Sequence, residues 1–402
     1  MKLPAPVAAL IILVVYWLLT MASLRMISGW LKDRRTSRHQ LFVRFYAAAA
    51  WVLTLLLLWF YEVRPSQHID HYYFYYTLFN ALLITDILIK LPLAAIYLIT
   101  LFPIRKRLVQ VITRMGFILS AGIGVTFIVG IIYGPNSLTV KEQTLSSAKL
   151  PPSFDGLRII HFSDTHLGSF RRTNLLKRFS AEVVRFKPDL ICFTGDLVNN
   201  YAQETAIYMD ELKQFTSSMG NFAVLGNHDY GDYTAWPDSL AKIYNAEALK
   251  ASIRNAGFRL LNNETAVLVK GNDTVYMVGF GYSGHRTGHS YADKDLVNRI
   301  LPDSCFSIVL CHDPGYWDSD LKQDKRFSLT LSGHTHALQW GFYPAGISLS
   351  PARLIIEKWG GIYRNGGNYI NVNRGTGIVG MYFRIDMPAE ITLLTLKRME
   401  IH

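Results

Sequence analysis

Cysteine is scarce in this chain. Among 402 residues there are three, Cys192, Cys305 and Cys311, each inside an apolar run that reads as a strand. Small buried hydrophobes are the ordinary reading of such cysteines. Three thiols so placed make neither a disulfide framework nor a Cys-based structural zinc site. Charge is scarce as well: 18% of residues are charged, 50% are hydrophobic and the mean hydropathy is +0.16. That balance excludes an ordinary soluble composition and points to a partly membrane-embedded chain. Acidic residues are nearly missing from the first third, where residues 1–134 hold 4 Asp/Glu against 13 Lys/Arg. The remainder, with 28 basic and 26 acidic residues, is close to balance. The basic excess thus sits with the apolar part, where the positive-inside bias accounts for it, and nucleic acid is not an expected partner. No internal repeat or low-complexity tract is present, which excludes repeat architectures.

What the first 134 residues do contain is four apolar segments, 5–24, 43–61, 74–102 and 115–133. At 1.5 Å per residue each is long enough to cross about 30 Å of hydrocarbon as a helix. The first lacks a small-residue cleavage site and is followed by three more, so it reads as a retained span and not a signal peptide. Arg25, Lys32, Arg34, Arg35 and Arg38 fill the first loop; Arg105, Lys106, Arg107 and Arg114 fill the third. The second loop and the N-terminus offer only Arg64 and Lys2. This bias puts loops one and three in the cytoplasm and both chain ends outside. The expectation is a multi-pass inner-membrane protein whose C-terminal part is extracytoplasmic and whose first partner is the lipid bilayer. Tyr72, Tyr73, Tyr75 and Tyr76 fit an interfacial aromatic belt. Asp86 and Lys90 lie four apart on one face of the third span, just before Pro92. They read either as part of a proton or ion path or as a mutually neutralising pair that holds two helices together, the second being the simpler.

From residue 135 the texture is that of a water-soluble α/β domain. Strands are predicted near 157–163, 190–193, 221–225, 306–311, 327–331, 368–373 and 390–397, with a meander over 258–262, 265–270 and 274–280. Helices are predicted around 173–186, 203–216, 238–255 and 292–301. Five apolar strands run into loops carrying His, Asp or Asn: Asp164-Thr165-His166, Gly195-Asp196, Gly226-Asn227-His228-Asp229, His312, and Gly333-His334-Thr335-His336. Strand ends of open α/β sheets are where ligands bind, so five such clusters can meet at one place.

Taken alone, each cluster has a plain structural reading as a turn or cap. Together they supply seven N/O ligands and no thiolate, which suits a pair of first-row transition ions. Asp164 and His166, two apart, would share a face of an extended segment. Asp196 has two oxygens and can bridge two ions, while Asn227 adds a neutral oxygen that limits the negative charge.

These motifs resemble the full signature of the calcineurin-like binuclear metallophosphoesterases. The lead-in Phe154-Asp155-Gly156-Leu157-Arg158 and the ending Asn373-Arg374-Gly375-Thr376-Gly377 are similar to the membrane-associated bacterial branch. The resemblance implies a four-layer α/β/β/α sandwich over 135–402, preceded by an all-α transmembrane region over 1–134. It implies two divalent ions (Mn, Fe or Zn), one held by Asp164, His166, Asp196 and His336, the other by Asp196, Asn227, His312 and His334. His228 would be the catalytic histidine, oriented by Asp229. The implied reaction is hydrolysis of a phosphate mono- or diester by a hydroxide bridging the two metals.

Substrate residues are less defined. Arg171, Arg172 and Asn199 are candidates for phosphate contact at the rim. Tyr282, in Gly279-Phe280-Gly281-Tyr282, stands where the family often places an aspartate, a departure that leaves the substrate class open. Only about 30 residues separate the last span from Asp164, which favours a phospholipid or another lipid-linked phosphoryl substrate. The alternatives are a non-catalytic membrane receptor or scaffold that binds phosphoryl ligands, and a transporter built on Asp86 and Lys90.

Overall fold

The computed structural model of the protein describes residues 5–31, 37–63, 73–170, 174–284, 290–298, 300–342 and 350–399. It divides into two compact units, residues 1–132 with 380–383, and residues 133–379 with 384–402.

The first unit is built on four helices, α1 (Ala5–Leu31), α2 (Ser37–Val63), α3 (Tyr73–Thr100) and α4 (Lys106–Ile132), each long and apolar enough to cross a membrane. They exceed the apolar segments that mark them, most of all α4, which begins at Lys106 and not near 115. Hydropathy reports the hydrocarbon-soluble stretch alone, whereas Lys106, Arg107 and Arg114 are good helix formers and continue the same helix. Lys90 is 1% exposed. Its Nζ bonds Asp86 Oδ2 at 2.5 Å and Thr20 Oγ1 of α1 at 2.9 Å, and lies 4.1 Å from the centre of the Tyr16 ring. The pair therefore ties α3 to α1, as the neutralising reading expects. Tyr72 and the loop residues 32–36 and 64–71 lie outside the described residues.

The second unit holds two six-stranded sheets. The strands are β1 (Leu138–Ser147), β2 (Arg158–Phe162), β3 (Leu190–Phe193), β4 (Asn221–Ala223), β5 (Phe258–Leu260) and β6 (Glu264–Lys270), then β7 (Asp273–Gly279), β8 (Ser307–Leu310), β9 (Leu329–Ser332), β10 (Gly361–Asn365), β11 (Asn368–Val372) and β12 (Ala389–Arg398). The first sheet runs β1-β12-β2-β3-β4-β5 and the second β10-β11-β9-β8-β7-β6. Strands β2 to β5 are mutually parallel, as are β7, β8, β9 and β11. The apolar runs of β3, β8 and β9 are buried on both faces, the pattern of interior parallel strands.

Three cores separate four layers. Between the sheets lie Ile159, Leu190, Phe222, Met277, Ile308 and Leu331. Outside the first sheet, Phe162, Phe193 and Ile391 pack on helix α5 (Leu175–Arg185) and on Leu249 and Ile253 of the helix Ser239–Asn255. Outside the second, Val278, Val309 and Val372 meet Val297, Tyr316, Trp317 and Leu321. The architecture is the expected α/β/β/α sandwich, following four long apolar helices.

Three expectations need correction. The segments near 258–280 are not a meander: β5 pairs parallel with β4 in the first sheet, and only β6 and β7 form an antiparallel hairpin in the second. Alternating polarity marked three strands but carried no information on which sheet each joins. The helix over 203–216 is two short pieces, a 3-10 turn Ala202–Tyr208 and a helical turn Met209–Leu212. Strands β1 and β10 were not foreseen. Both are edge strands of half-buried, mostly polar residues, and β1 pairs with β12, some 250 positions away.

Candidate metal centre

The strands deliver their loops to one place because their C-terminal ends are parallel within each sheet. Strands β2, β3 and β4 lead into Asp164/His166, Asp196 and Asn227; β8 and β9 lead into His312 and His334/His336. Five of these seven residues have left-handed backbone: Asp164 (φ 52), His166 (φ 45), Asp196 (φ 57), His334 (φ 71) and His336 (φ 48). The segment Asp164–His166 is therefore not extended, as its spacing had suggested. A non-glycine residue held in that region costs about 1–3 kcal/mol, and such strain clusters at functional sites. Cross-loop hydrogen bonds hold it in place: Asp164 N donates to Gly195 O (2.9 Å), His166 N to Asp196 O (3.0 Å) and Gly377 N to Asp164 O (2.8 Å). Gly226 serves closeness and not the turn itself, since a Cβ there would lie 2.2 Å from Asp196 Oδ1. Gly333 acts likewise against Asp164, at 2.2 Å from Oδ2.

The side chains converge in three overlapping groups whose ligand atoms lie within 4.8 Å of one another: Asp164/His166/His336, His166/Asp196/His228 and Asp196/His312/His334. Asp196 Oδ2 is 3.2 Å from His312 Nε2 and 3.6 Å from His166 Nε2. Nε2 of His166 and Nε2 of His336 are 3.1 Å apart, and His334 Nδ1 is 3.2 Å from His312 Nε2. Main-chain and amide oxygens set the tautomers. Thr194 O accepts from His312 Nδ1 (2.7 Å) and Asn199 Oδ1 from His166 Nδ1 (3.1 Å), which leaves both Nε2 lone pairs facing inward. Asn227 donates its Nδ2–H to Tyr233 Oη (2.9 Å), and among the described residues its buried Oδ1 has no hydrogen-bond partner; neither has His336 Nδ1. Buried orphan acceptors at the meeting point of two carboxylates and four imidazoles fit a cation, and the absence of thiolate fits a divalent ion of borderline hardness.

The electrostatics agree. Burial opposes charge on His312, but the Asp196 and Asp164 carboxylates outweigh it and push the imidazole up to about 10. Burial, with His228 and His336 close by, drives His166 well below its ordinary value. The two carboxylates thus draw positive charge to the site.

Several expected roles fall differently. Asp229 does not touch His228. Its carboxylate accepts from the backbone N–H of Asp196 (2.8 Å), Leu197 (2.9 Å), Val198 (3.3 Å) and Gly226 (2.9 Å), so it fastens the Asp196 loop to the Asn227 loop. His228 Nδ1 donates instead to Asn199 O at 2.8 Å. Asn199 is no rim residue, being 1% exposed with its Oδ1 engaged by His166. Arg171 and Arg172 lie outside the described residues. Tyr282 is buried, its ring centre 6.0 Å from those of His312 and His334. Sequence reasoning missed Tyr233, whose ring stacks on His228 with centres 4.4 Å apart. It also missed Glu204. Neither stands beside a motif; the only hint is an acidic residue in the first turn of a helix.

Residues 157–338, from the lead-in of β2 to just past His336, match the model of the calcineurin-like phosphoesterase family. The metallophosphoesterase YkuE of Bacillus subtilis is 31% identical over 278 residues, which is 65% of this chain and 87% of YkuE. The chain belongs to the calcineurin-like phosphoesterase family. A transmembrane protein with metallophosphoesterase domain from Danio rerio is 30% identical over 67% of this chain and 60% of its own length. The UDP-2,3-diacylglucosamine pyrophosphatase LpxG of Chlamydia trachomatis is 30% identical over 51% of this chain and 71% of that protein. As a family member the chain is a metal-dependent phosphoric ester hydrolase, and its buried Asp/His groups are its candidates for holding divalent metal.

Proposed function

We propose that this calcineurin-like phosphoesterase is anchored in the membrane by its four apolar helices and hydrolyses a lipid-linked phosphate mono- or diester with two divalent ions. The observation that carries the reading is the set of three ligand groups, buried but for the half-buried His228 and His334, linked through His166 and Asp196. Asp164, His166, Asp196 and His336 would hold one ion, and Asp196, Asn227, His312 and His334 the other. When bound, such ions supply Lewis-acid charge and lower the pKa of water near the phosphoryl group. Hydrogen bonding from Nδ1 to Asn199 O leaves His228 Nε2 as the atom that carries a proton to the leaving oxygen. The stack with Tyr233 keeps the ring upright, and Asp229 keeps the Asp196 and Asn227 loops in register. A lipid-linked substrate is favoured by the four membrane-length helices and by the short link from α4 to Asp164, and the Lys/Arg bias favours an extracytoplasmic site.

The test uses the full chain in detergent micelles, stripped of metal and reloaded with Mn²⁺. It is offered bis-p-nitrophenyl phosphate and a panel of phospholipids and nucleotide-linked lipids. Metal-dependent hydrolysis of the aryl diester and release of one lipid headgroup are expected. Loaded, folded protein that binds these lipids without turnover would make the chain a receptor or scaffold. Protease digestion of the C-terminal unit in right-side-out against inverted vesicles reads the sidedness.

A further inference from the structure

Glu204 is half-buried, its carboxylate set among backbone amides, and has no part in the reaction described above. Its carboxylate accepts four main-chain N–H groups: Gly168 (2.9 Å) and Asn199 (2.7 Å) on Oε2, Asn200 (2.9 Å) and Tyr201 (2.9 Å) on Oε1. Among the described residues no cation pairs with it. The group thus joins the loop after His166, the loop after Asp196 and the helical turn Ala202–Tyr208. The packing is close, since a Cβ on Gly168 would lie 2.5 Å from both Glu204 Oε2 and Asn199 Nδ2.

Asn199, which this carboxylate grips by its N–H, is the residue on which two histidines depend. Its carbonyl oxygen accepts from His228 Nδ1 (2.8 Å) and its side-chain oxygen from His166 Nδ1 (3.1 Å). One residue therefore sets the tautomer and direction of both the proton donor and an expected metal ligand. A carboxylate is the side chain suited to fixing the two peptides that flank it, because two oxygens without hydrogens can accept four N–H bonds.

We infer that Glu204 is a positioning residue for His228 and His166, acting through Asn199. The inference rests on the reading of His228 as the proton donor. Glu204→Gln is nearly isosteric, yet its amide can satisfy one N–H pair only and turns its own N–H groups against the other. Asn245 provides a control. It bonds Asn200 O (2.9 Å) and Ala202 N (2.8 Å) in the same loop and does not bond Asn199.

The experiment measures kcat for phosphodiesters with leaving groups from p-nitrophenol to simple alcohols, using full chain in micelles at saturating Mn²⁺. Mn²⁺ affinity is read separately by electron paramagnetic resonance. A general acid contributes about 10²–10⁴-fold, and its loss falls on poor leaving groups. His228→Ala is expected to steepen the dependence on leaving-group pKa. Glu204→Gln should steepen it in the same sense, with about 10–100-fold loss on alkyl esters, little on p-nitrophenyl esters, and Mn²⁺ affinity weakened about 10-fold, the scale of removing a ligand's supporting bond. In the His228→Ala background Glu204→Gln should cost no further kcat. Asn245→Ala should lower rates evenly across the series, if at all. A wild-type profile and affinity in folded Glu204→Gln, or an even loss like that of Asn245→Ala, overturns the positioning role alone. An unchanged profile in His228→Ala overturns the proton-donor reading, and this inference with it.

Discussion

Buried charge is handled in opposite ways in the two units. In the helical unit Lys90 is paired by Asp86 on its own helix and steadied by Thr20 and Tyr16, so the cluster is complete with side chains of this chain. In the phosphoesterase unit Asp164 and Asp196 are buried with no Lys or Arg paired to either among the described residues, and the groups around them are imidazoles. A self-neutralised pair asks for nothing from outside and is a structural device. A buried site whose carboxylates find no fixed cation, only titratable imidazoles and backbone N–H groups, with acceptors left open, is completed by a cation. The difference separates structure from chemistry more sharply than burial alone does.

The most damaging way to break the comparison is to remove the shared carboxylate. Asp196 Oδ1 accepts the backbone N–H of His228 (2.9 Å), and Asp196→Asn keeps an oxygen for that bond but removes the charge. Hydrolysis is expected to fall by at least about 10²–10³-fold, the scale of losing one electrostatic stabiliser, with metal content reduced and the circular dichroism unchanged. Activity and metal stoichiometry close to wild type would show that Asp196 is not the hub.

The converse change belongs in the helical unit. Lys90→Met leaves Asp86 without its partner, at a cost of about 3 kcal/mol, the low end for breaking a buried pair, since Asp86 keeps 26% of its side chain exposed. Detergent-denaturation curves should show that loss, while the turnover of folded, metal-loaded protein stays unchanged. The double variant Asp86→Asn/Lys90→Met should recover most of the stability. Lost activity in well-assembled Asp86→Asn would instead give this pair a functional part and favour the transporter reading.

Tyr233 tests how far the metal site depends on neutral support. Tyr233→Phe keeps the stack on His228 and deletes the bond that aims Asn227. About 10-fold weaker Mn²⁺ binding is expected, the low end of such effects because the tyrosine is half exposed. Unchanged affinity would mean that Asn227 finds its orientation without the hydroxyl.

Sequence alone carried the ligand set a long way because every member follows an apolar strand within a few residues, so local pattern and chemistry coincide. The interior strands were legible for the same reason, being continuous apolar runs, whereas their stacking into four layers was implied by the family resemblance and not by the pattern. What stayed hidden depends on partners distant in sequence or on main-chain groups. Asp229 stands beside His228 in the chain, and adjacency suggested a pair, yet its carboxylate bonds backbone N–H groups, three of the four 31–33 positions away. Glu204 acts wholly on main-chain N–H groups, which have no side-chain signature. The hairpin of β10 and β11 turns at Gly366-Gly367, a two-residue loop that pattern reading could have found. The edge strand β1 had no such cue.

A third kind of buried polar group, neutral and satisfied, completes the contrast and has the smallest expected effect. His161 is fully buried on β2; its Nδ1 accepts from Asn371 Nδ2 (2.7 Å) and its Nε2 donates to Thr194 Oγ1 (3.0 Å). Burial pushes the imidazole down to about 3 from an ordinary 6.5, the attraction of Glu390 and Asp164 notwithstanding. Below pH 6.5 the unfolded chain takes up a proton that the folded chain refuses. The contribution of His161 to stability is therefore fully present above pH 6.5 and is lost as the pH falls toward 3, with a slope of about 1.4 kcal/mol per pH unit. His161→Gln can keep one acceptor and one donor but does not titrate. Stability of metal-free protein measured from pH 7 to 4 should fall less steeply in the variant, by up to that slope. The metal-site histidines titrate in both proteins and cancel in the difference. Parallel curves would mean that His161 already carries a proton in the fold, and that its site resembles the imidazole-met carboxylates of the metal centre more than a closed, neutral core.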